Sequence, residues 1–242
     1  MKDQSTGTTI GILKMGAPEP AFRARFGDFV DWITAKLPAN AKSSVRVFDP
    51  AAGALPEAAG LSGLIITGSH SMVTDPSAGE RTAFRWLERV LATELPVLGM
   101  CYGHQMLGHV LGGEVGPLPG GPEIGVAQVT FAATDDPLFA SCGASESVAV
   151  IHWQSVRRLP AGAQVLAWGE REPHQAVRFQ PRVWGVQFHP EFSPEILVDL
   201  VRTHEGVLRE EGRDPARVVA EAARWRERTD LIRRFVRLAA PA

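Results

Sequence analysis

Cysteine is scarce in this chain of 242 residues: only Cys101 and Cys142 occur. Two cysteines build neither a disulfide framework nor a zinc-type CxxC pair, and their scarcity fits a reducing cytosol. Neither sign of charge dominates, with 25 basic against 27 acidic side chains. No basic block is dense enough to mark nucleic acid as a partner. No apolar run reaches the length of a membrane span. Met1 to Thr9 is polar and mixed in charge, without the basic start and apolar core of a secretory signal. The histidines and acids show no HExxH spacing, which leaves a metal hydrolase without support. Repeats, low-complexity tracts and Ser/Gly/Pro linkers are also missing. Together these absences lead us to expect a cytoplasmic globular protein with no metal, no cofactor, no nucleic acid and no membrane as partner.

What is present is a run of short apolar segments alternating with amphipathic ones. Thr9 to Leu13, Ser44 to Phe48, Leu61 to Thr67 and Pro96 to Met100 read as buried strands. Phe22 to Leu37 and Ser77 to Thr93 have helical spacing. This alternation predicts an α/β fold with a central, mostly parallel sheet flanked by helices. After Gly112 the pattern changes to successive strands at Glu114-Val115, Gly125 to Phe131, Ser147 to Ile151, Gln164 to Trp168, Gln175 to Phe179 and Val183 to Phe188. Such a run suggests an added, small antiparallel layer. Two further helices, Ser193 to Glu211 and Pro215 to Leu238, make a C-terminal helical extension. We therefore expect one main domain over residues 1–192, with residues 193–242 packed on it.

The fourth strand ends in Gly99-Met100-Cys101-Tyr102-Gly103, and a helical stretch follows at once. Glycines on both sides of Cys101 allow a strained strand-to-helix turn that a Cβ would obstruct. A cysteine at that apex sits at a helix N-terminus, where free N–H groups and the macrodipole favour a thiolate. It reads as a nucleophile; a small buried residue at a helix start is the competing reading.

A cysteine nucleophile needs a base, usually oriented by a third group. Of the seven histidines, His189 stands out, because the apolar strand Gly185 to Phe188 ends in His189-Pro190-Glu191. Proline directs the chain out of the strand and leaves a histidine and a carboxylate two residues apart at its end. Glu191 is placed to hold the imidazole in one tautomer; a surface His-Pro turn is the alternative.

Taken together, Gly99-x-Cys101-x-Gly103-His104-Gln105 and Gly185-x-Gln187-Phe188-His189-Pro190-Glu191 resemble the class I glutamine amidotransferase family. The likeness is nearest to the amidotransferase domain of GMP synthetase and its stand-alone relatives. It runs from about Ile10 to Phe192 and includes Gly63 to His70, which takes the place of the family's oxyanion strand and loop. The resemblance implies a flavodoxin-like fold and a glutaminase. Cys101 would attack the glutamine side-chain amide, His189 would move the proton, and Glu191 would orient His189. Backbone N–H groups of Gly68 and Tyr102 would meet the oxyanion. Gly103, Gln105, His152, Trp153 and Gln154 would fall in the substrate pocket, and His104 would be a packing residue rather than the base.

Two departures bear on substrate. The family's oxyanion loop is often Gly-Gly-Pro, whereas this chain has Gly68-Ser69-His70, and the position of Gln154 is frequently acidic in relatives. A modified γ-glutamyl substrate could therefore replace free glutamine, as in γ-glutamyl peptidases. The loops Met72 to Gly79 and Gly116 to Glu123 are expected to cover the leaving group. No Gly-rich pyrophosphate loop follows, and the fifty residues after Phe192 are too few for an ATP-binding domain. Any ammonia acceptor is thus expected on a separate synthase subunit. A third reading is a non-catalytic regulatory subunit.

Overall fold

The computed structural model describes residues 8–42, 44–132 and 135–240. The reading of Met1 to Thr9 as free of a leader falls almost wholly on residues 1–7, outside those described. In chain order the first half comprises β1 (Ile10–Leu13), α1 (Pro20–Phe26), α2 (Phe29–Lys36), α3 (Ala39–Lys42), β2 (Val45–Phe48), β3 (Gly63–Ile66), α4 (Ala78–Leu91), β4 (Val97–Met100) and α5 (Tyr102–Val110). Then come β5 (Glu114–Pro117), β6 (Glu123–Phe131), β7 (Ser145–His152), β8 (Gln154–Arg158), β9 (Gln164–Gly169), β10 (Ala176–Gln180) and β11 (Val183–Val186). The helices α6 (Pro194–Thr203), α7 (Glu205–Glu210), α8 (Pro215–Arg224) and α9 (Leu231–Ala239) follow.

A nine-stranded sheet runs β2-β1-β3-β4-β11-β10-β9-β6-β7. The first five strands pair in parallel and the remaining pairs are antiparallel. The antiparallel strands thus extend the main sheet, and the small separate antiparallel sheet is the pair β5 and β8. Strand residues alternate between faces. Ile10, Ile12, Ile65 and Leu98 join a core with Ile33 of α2, with Leu37 just after it, and with Leu231, Phe235 and Val236 of α9. Leu13, Leu64, Ile66 and Val97 join the opposite core with Phe84 and Leu87 of α4 and Met106 and Leu107 of α5. Both faces are covered, as short apolar parallel strands require.

Three expected helices are broken. Phe22 to Leu37 splits at Gly27, which takes φ 80°, and the next helix restarts where the Asp28 N–H donates to Asp31 Oδ2 at 2.7 Å. The helix expected over Ser193 to Glu211 breaks at His204, whose Nδ1 bonds the Leu200 carbonyl at 2.8 Å. Pro215 to Leu238 breaks where Trp225 leaves the helix and donates its indole N–H to the Ser147 carbonyl at 2.8 Å. In each case hydrophobic periodicity continues across a break at which a hydrogen bond forms, local at Asp28 and His204 and long-range at Trp225. The C-terminal helices also supply core residues, and α9 is buried along Leu231, Ile232, Phe235 and Val236.

Candidate active site

The site lies beyond the carboxyl ends of β3, β4 and β11, where open α/β sheets bind ligands. At the end of β4, Cys101 takes φ 49° and ψ −103°, and it caps α5. A Cβ on Gly99 would lie 2.4 Å from the Gly103 carbonyl oxygen, and one on Gly103 would lie 2.7 Å from the Ile66 oxygen. Backbone of β3, β4 and the first turn of α5 therefore touch, a contact only glycine permits. The Cys101 N–H donates to the Val186 carbonyl of β11 at 2.8 Å, which locks the strained turn in register. This geometry puts the thiol at the positive end of a helix, beside the first-turn N–H of Tyr102, which has no acceptor within the helix.

His189 comes from the loop after β11. Its N–H donates to the Ala149 carbonyl of β7 at 2.9 Å, and the Cys101 thiol reaches the Ile151 carbonyl of the same strand at 3.6 Å. The antiparallel end of the sheet curls back far enough to support both residues. His189 Nδ1 meets Glu191 Oε1 at 2.7 Å, with both side chains buried. Nδ1 is thereby taken, and Nε2 is the ring nitrogen left for Cys101. Burial disfavours charge on this imidazole. The Glu191 carboxylate, then the Cys101 sulfur, outweigh burial and push its pKa up to about 10. His189 thus holds its proton at neutral pH.

Gly68 lies directly against this pair: a Cβ there would be 3.3 Å from His189 Cε1 and 3.8 Å from Cys101 Cβ. The Thr67 hydroxyl donates to the Gly68 carbonyl at 2.8 Å and accepts from the Met15 N–H at 2.9 Å. Both bonds are buried, and they hold the loop in one orientation. Ser69 Oγ adds a bond to the Met15 carbonyl at 2.9 Å.

A cavity of about 530 Å³ opens from Cys101, His189 and Glu191. Gln105, His152, Trp153 and Gln154 line it; Gly103 does not, being turned to Ile66. His152 has both ring nitrogens engaged, on the Gln154 carbonyl and on Glu123 Oε2, each at 2.9 Å. Gln105 donates to the Gln154 carbonyl at 2.7 Å and to Gln187 Oε1 at 3.0 Å. Both side chains therefore brace the backbone of Gln154 from below. The Gln154 amide is bound at one end, to Thr74 Oγ1 at 2.5 Å, while its buried Oε1 has no partner among the described residues. Trp153 packs tilted against His204, with ring centroids 5.2 Å apart.

His104 is fully buried, and burial holds its pKa down to about 3. It packs on Phe179 and takes no part in the site. A larger hollow of about 800 Å³ sits at the opposite ends of β3 and β4, near Ser62 and Pro96, and none of Cys101, His189 and Glu191 lines it. Among the described residues no cluster of histidine, cysteine and carboxylate side chains is arranged to hold a metal, and no helix is long and apolar enough to cross a membrane.

Sequence reasoning missed one wall of the cavity. Phe22, Arg25, Phe29 and Trp32 of α1 and α2, with Leu200 of α6, form it. Of the two loops expected over the leaving group, residues 72–79 contribute Met72 and residues 116–123 contribute nothing. The aromatic spacing of α1 and α2 was the available signal, but spacing alone does not separate a core face from a cavity face.

Residues 29–197 match the sequence model of the family described as glutamine amidotransferase class-I, and the chain belongs to that family. Among its relatives is the GMP synthase [glutamine-hydrolyzing] of Porphyromonas gingivalis, 38% identical over 139 residues, or 57% of this chain and 26% of that protein. The enzyme of the same name from Bacillus subtilis is 35% identical over 130 residues, 53% of this chain and 24% of the relative. The chain spans about a quarter of the length of these curated relatives. In fold it is similar to a glutamine amidotransferase of Thermotoga maritima, with a TM-score of 0.76 at 21% identity, covering 96% of this chain and 99% of that one. A glutamine amido transferase from Methylobacillus flagellatus gives 0.64 at 23% identity, over 97% and 91%.

Proposed function

We propose that the chain hydrolyses the γ-carboxamide of glutamine through a glutamyl thioester on Cys101, with His189 and Glu191 completing a triad. The observation that carries this reading is the positive φ of Cys101 at the start of α5, beside a histidine whose Nδ1 is held by the buried Glu191 carboxylate at 2.7 Å. Attack on the amide carbon would put negative charge on oxygen, to be met by the N–H groups of Gly68 and Tyr102. Such preorganised donors contribute about 3 kcal/mol each. The proton on His189 would go to the leaving nitrogen, and water would then release glutamate. The free oxygen of Gln154 is suited to accept from the substrate's ammonium group.

Relatives named GMP synthase suggest that the ammonia serves a synthase, and a separate synthase subunit is the partner we propose. A non-catalytic role is disfavoured because an unused turn would gain by relaxing its strain. The test is release of ammonia and glutamate from glutamine by the purified protein. We expect stoichiometric release that disappears on alkylation of Cys101. Release that survives alkylation, or no release from any γ-glutamyl amide, would sink the proposal.

Thr67→Val tests the oxyanion loop. Valine keeps the shape but removes the bond to the Gly68 carbonyl and the acceptor for Met15. We expect kcat to fall by about 10-fold with little change in KM, since a loosened donor acts mainly in the transition state.

A further inference from the structure

The aromatic wall of the cavity begins at the catalytic histidine itself. Phe192 stacks on His189 with centroids 4.0 Å apart and planes 11° apart. Trp32 meets Phe192 edge-on at 5.7 Å, and Phe22 meets Trp32 edge-on at 5.9 Å. All three line the cavity. The one polar atom of Trp32, its indole N–H, is bound to the Phe26 carbonyl at 2.6 Å, so the ring offers only an apolar surface. Helix α1 has no buried residues, yet Ala21 and Phe22 line the cavity. At the far end Arg25 is neutralised by a two-pronged pair with Asp199 across to α6, at 2.9 and 3.0 Å.

His189 is the group that gives a proton to the leaving nitrogen, so whatever that nitrogen carries must lie on the side of His189. Ammonia carries nothing, so with glutamine the apolar cavity surface lined by Phe22, Trp32 and Phe192 would go unused. Cavities of about 300 to 1,000 Å³ with mostly apolar walls suit drug-sized ligands. Resting on the thioester reading above, we infer that the preferred substrate is a γ-glutamyl amide of a primary amine with a bulky apolar or aromatic substituent, which lies along Phe192, Trp32 and Phe22. Cys101 Sγ bonds to the carbonyl carbon of the γ-carboxamide and that carbon's bond to nitrogen breaks. The proton of His189 goes to nitrogen and the free amine leaves. Water then splits the thioester, giving glutamate and restoring the thiol.

Three substrates with the same glutamyl part test this: γ-glutamyl-phenethylamide, γ-glutamyl-ethylamide and glutamine. The first two release alkylamines, so their comparison isolates the ring. In the intact protein we expect kcat/KM for the phenethylamide to exceed that for the ethylamide and for glutamine by at least about 10-fold. Phe22→Ala, a change on a half-exposed helix, is expected to bring the phenethyl-to-ethyl ratio close to one. Equal turnover of the two alkylamides, a preference for glutamine, or a ratio untouched by Phe22→Ala would overturn this inference alone. Turnover of none of the three would instead overturn the thioester reading on which it rests.

Discussion

Replacing Cys101 with glycine is expected to abolish turnover and to raise stability by about 1 kcal/mol. The first effect follows from removing the proposed nucleophile: loss of one member of a catalytic triad costs on the order of 10⁴-fold or more in kcat. The second follows from φ 49° at a residue that carries a Cβ. Holding a non-glycine residue in such a region costs roughly 1 to 3 kcal/mol. Glycine relieves that strain and returns part of the gain through the greater freedom of its unfolded chain. For a protein of this size the net gain is a rise in Tm of about 2 to 4 °C. A small cysteine serving only as packing would behave in the opposite way, since deleting its buried side chain would leave a void and lower stability. Thermal unfolding of the two proteins side by side, together with an ammonia assay, separates the cases. A variant that is less stable than the parent would count against a strained elbow, and one that keeps turnover would count against the nucleophile.

The elbow was legible in the sequence because its requirements are local and steric. Gly99 and Gly103 are forced by backbone contact between β4, α5 and β3, and that demand surfaces as residue type. His189-Pro190-Glu191 was legible for a similar reason, because two residues at one strand end need no long-range information to be neighbours. The join between Cys101 and His189 was reached only through the family likeness. In the structure it depends on β4 and β11 lying side by side and on β7 curling back beneath both. Strand β8 went unread because Gln154 to Arg158 alternates weakly and pairs only with the short β5. The aromatic wall was not legible: Phe22 to Leu37 shows only helical spacing, whereas in the structure Phe29 and Trp32 pack in a core with Phe192 and also border the cavity with Phe22. Periodicity reports that a face is covered, whereas what covers it is a property of the assembled fold.

Glu191→Gln is expected to lower kcat by on the order of 10² to 10³-fold while leaving KM nearly unchanged. Glutamine fills the same space and still offers an oxygen to Nδ1, so the loss reports the missing charge rather than a collapsed site. The same charge leaves a mark on stability. In the intact protein burial opposes the His189 imidazolium, and the Glu191 carboxylate, followed by the Cys101 sulfur, overcomes it and raises the pKa to about 10. The folded value lies above the unfolded one of about 6.5. The stabilising contribution of this proton is therefore fully present below about pH 6.5 and is lost as pH rises through about 10. With the carboxylate gone, burial acts on the ring with far less opposition and favours its neutral form. The folded pKa falls, and the loss of stability associated with it moves to lower pH. Unfolding measured from pH 6 to 10.5 should show the intact protein losing stability steadily from about pH 6.5 to about 10. Stability of the variant relative to the intact protein should then be lowest near neutral pH and recover as pH rises. Parallel curves for the two proteins, with kcat reduced less than about 3-fold, would mean that Glu191 neither charges nor orients His189. The base would then have to be sought elsewhere in the cavity.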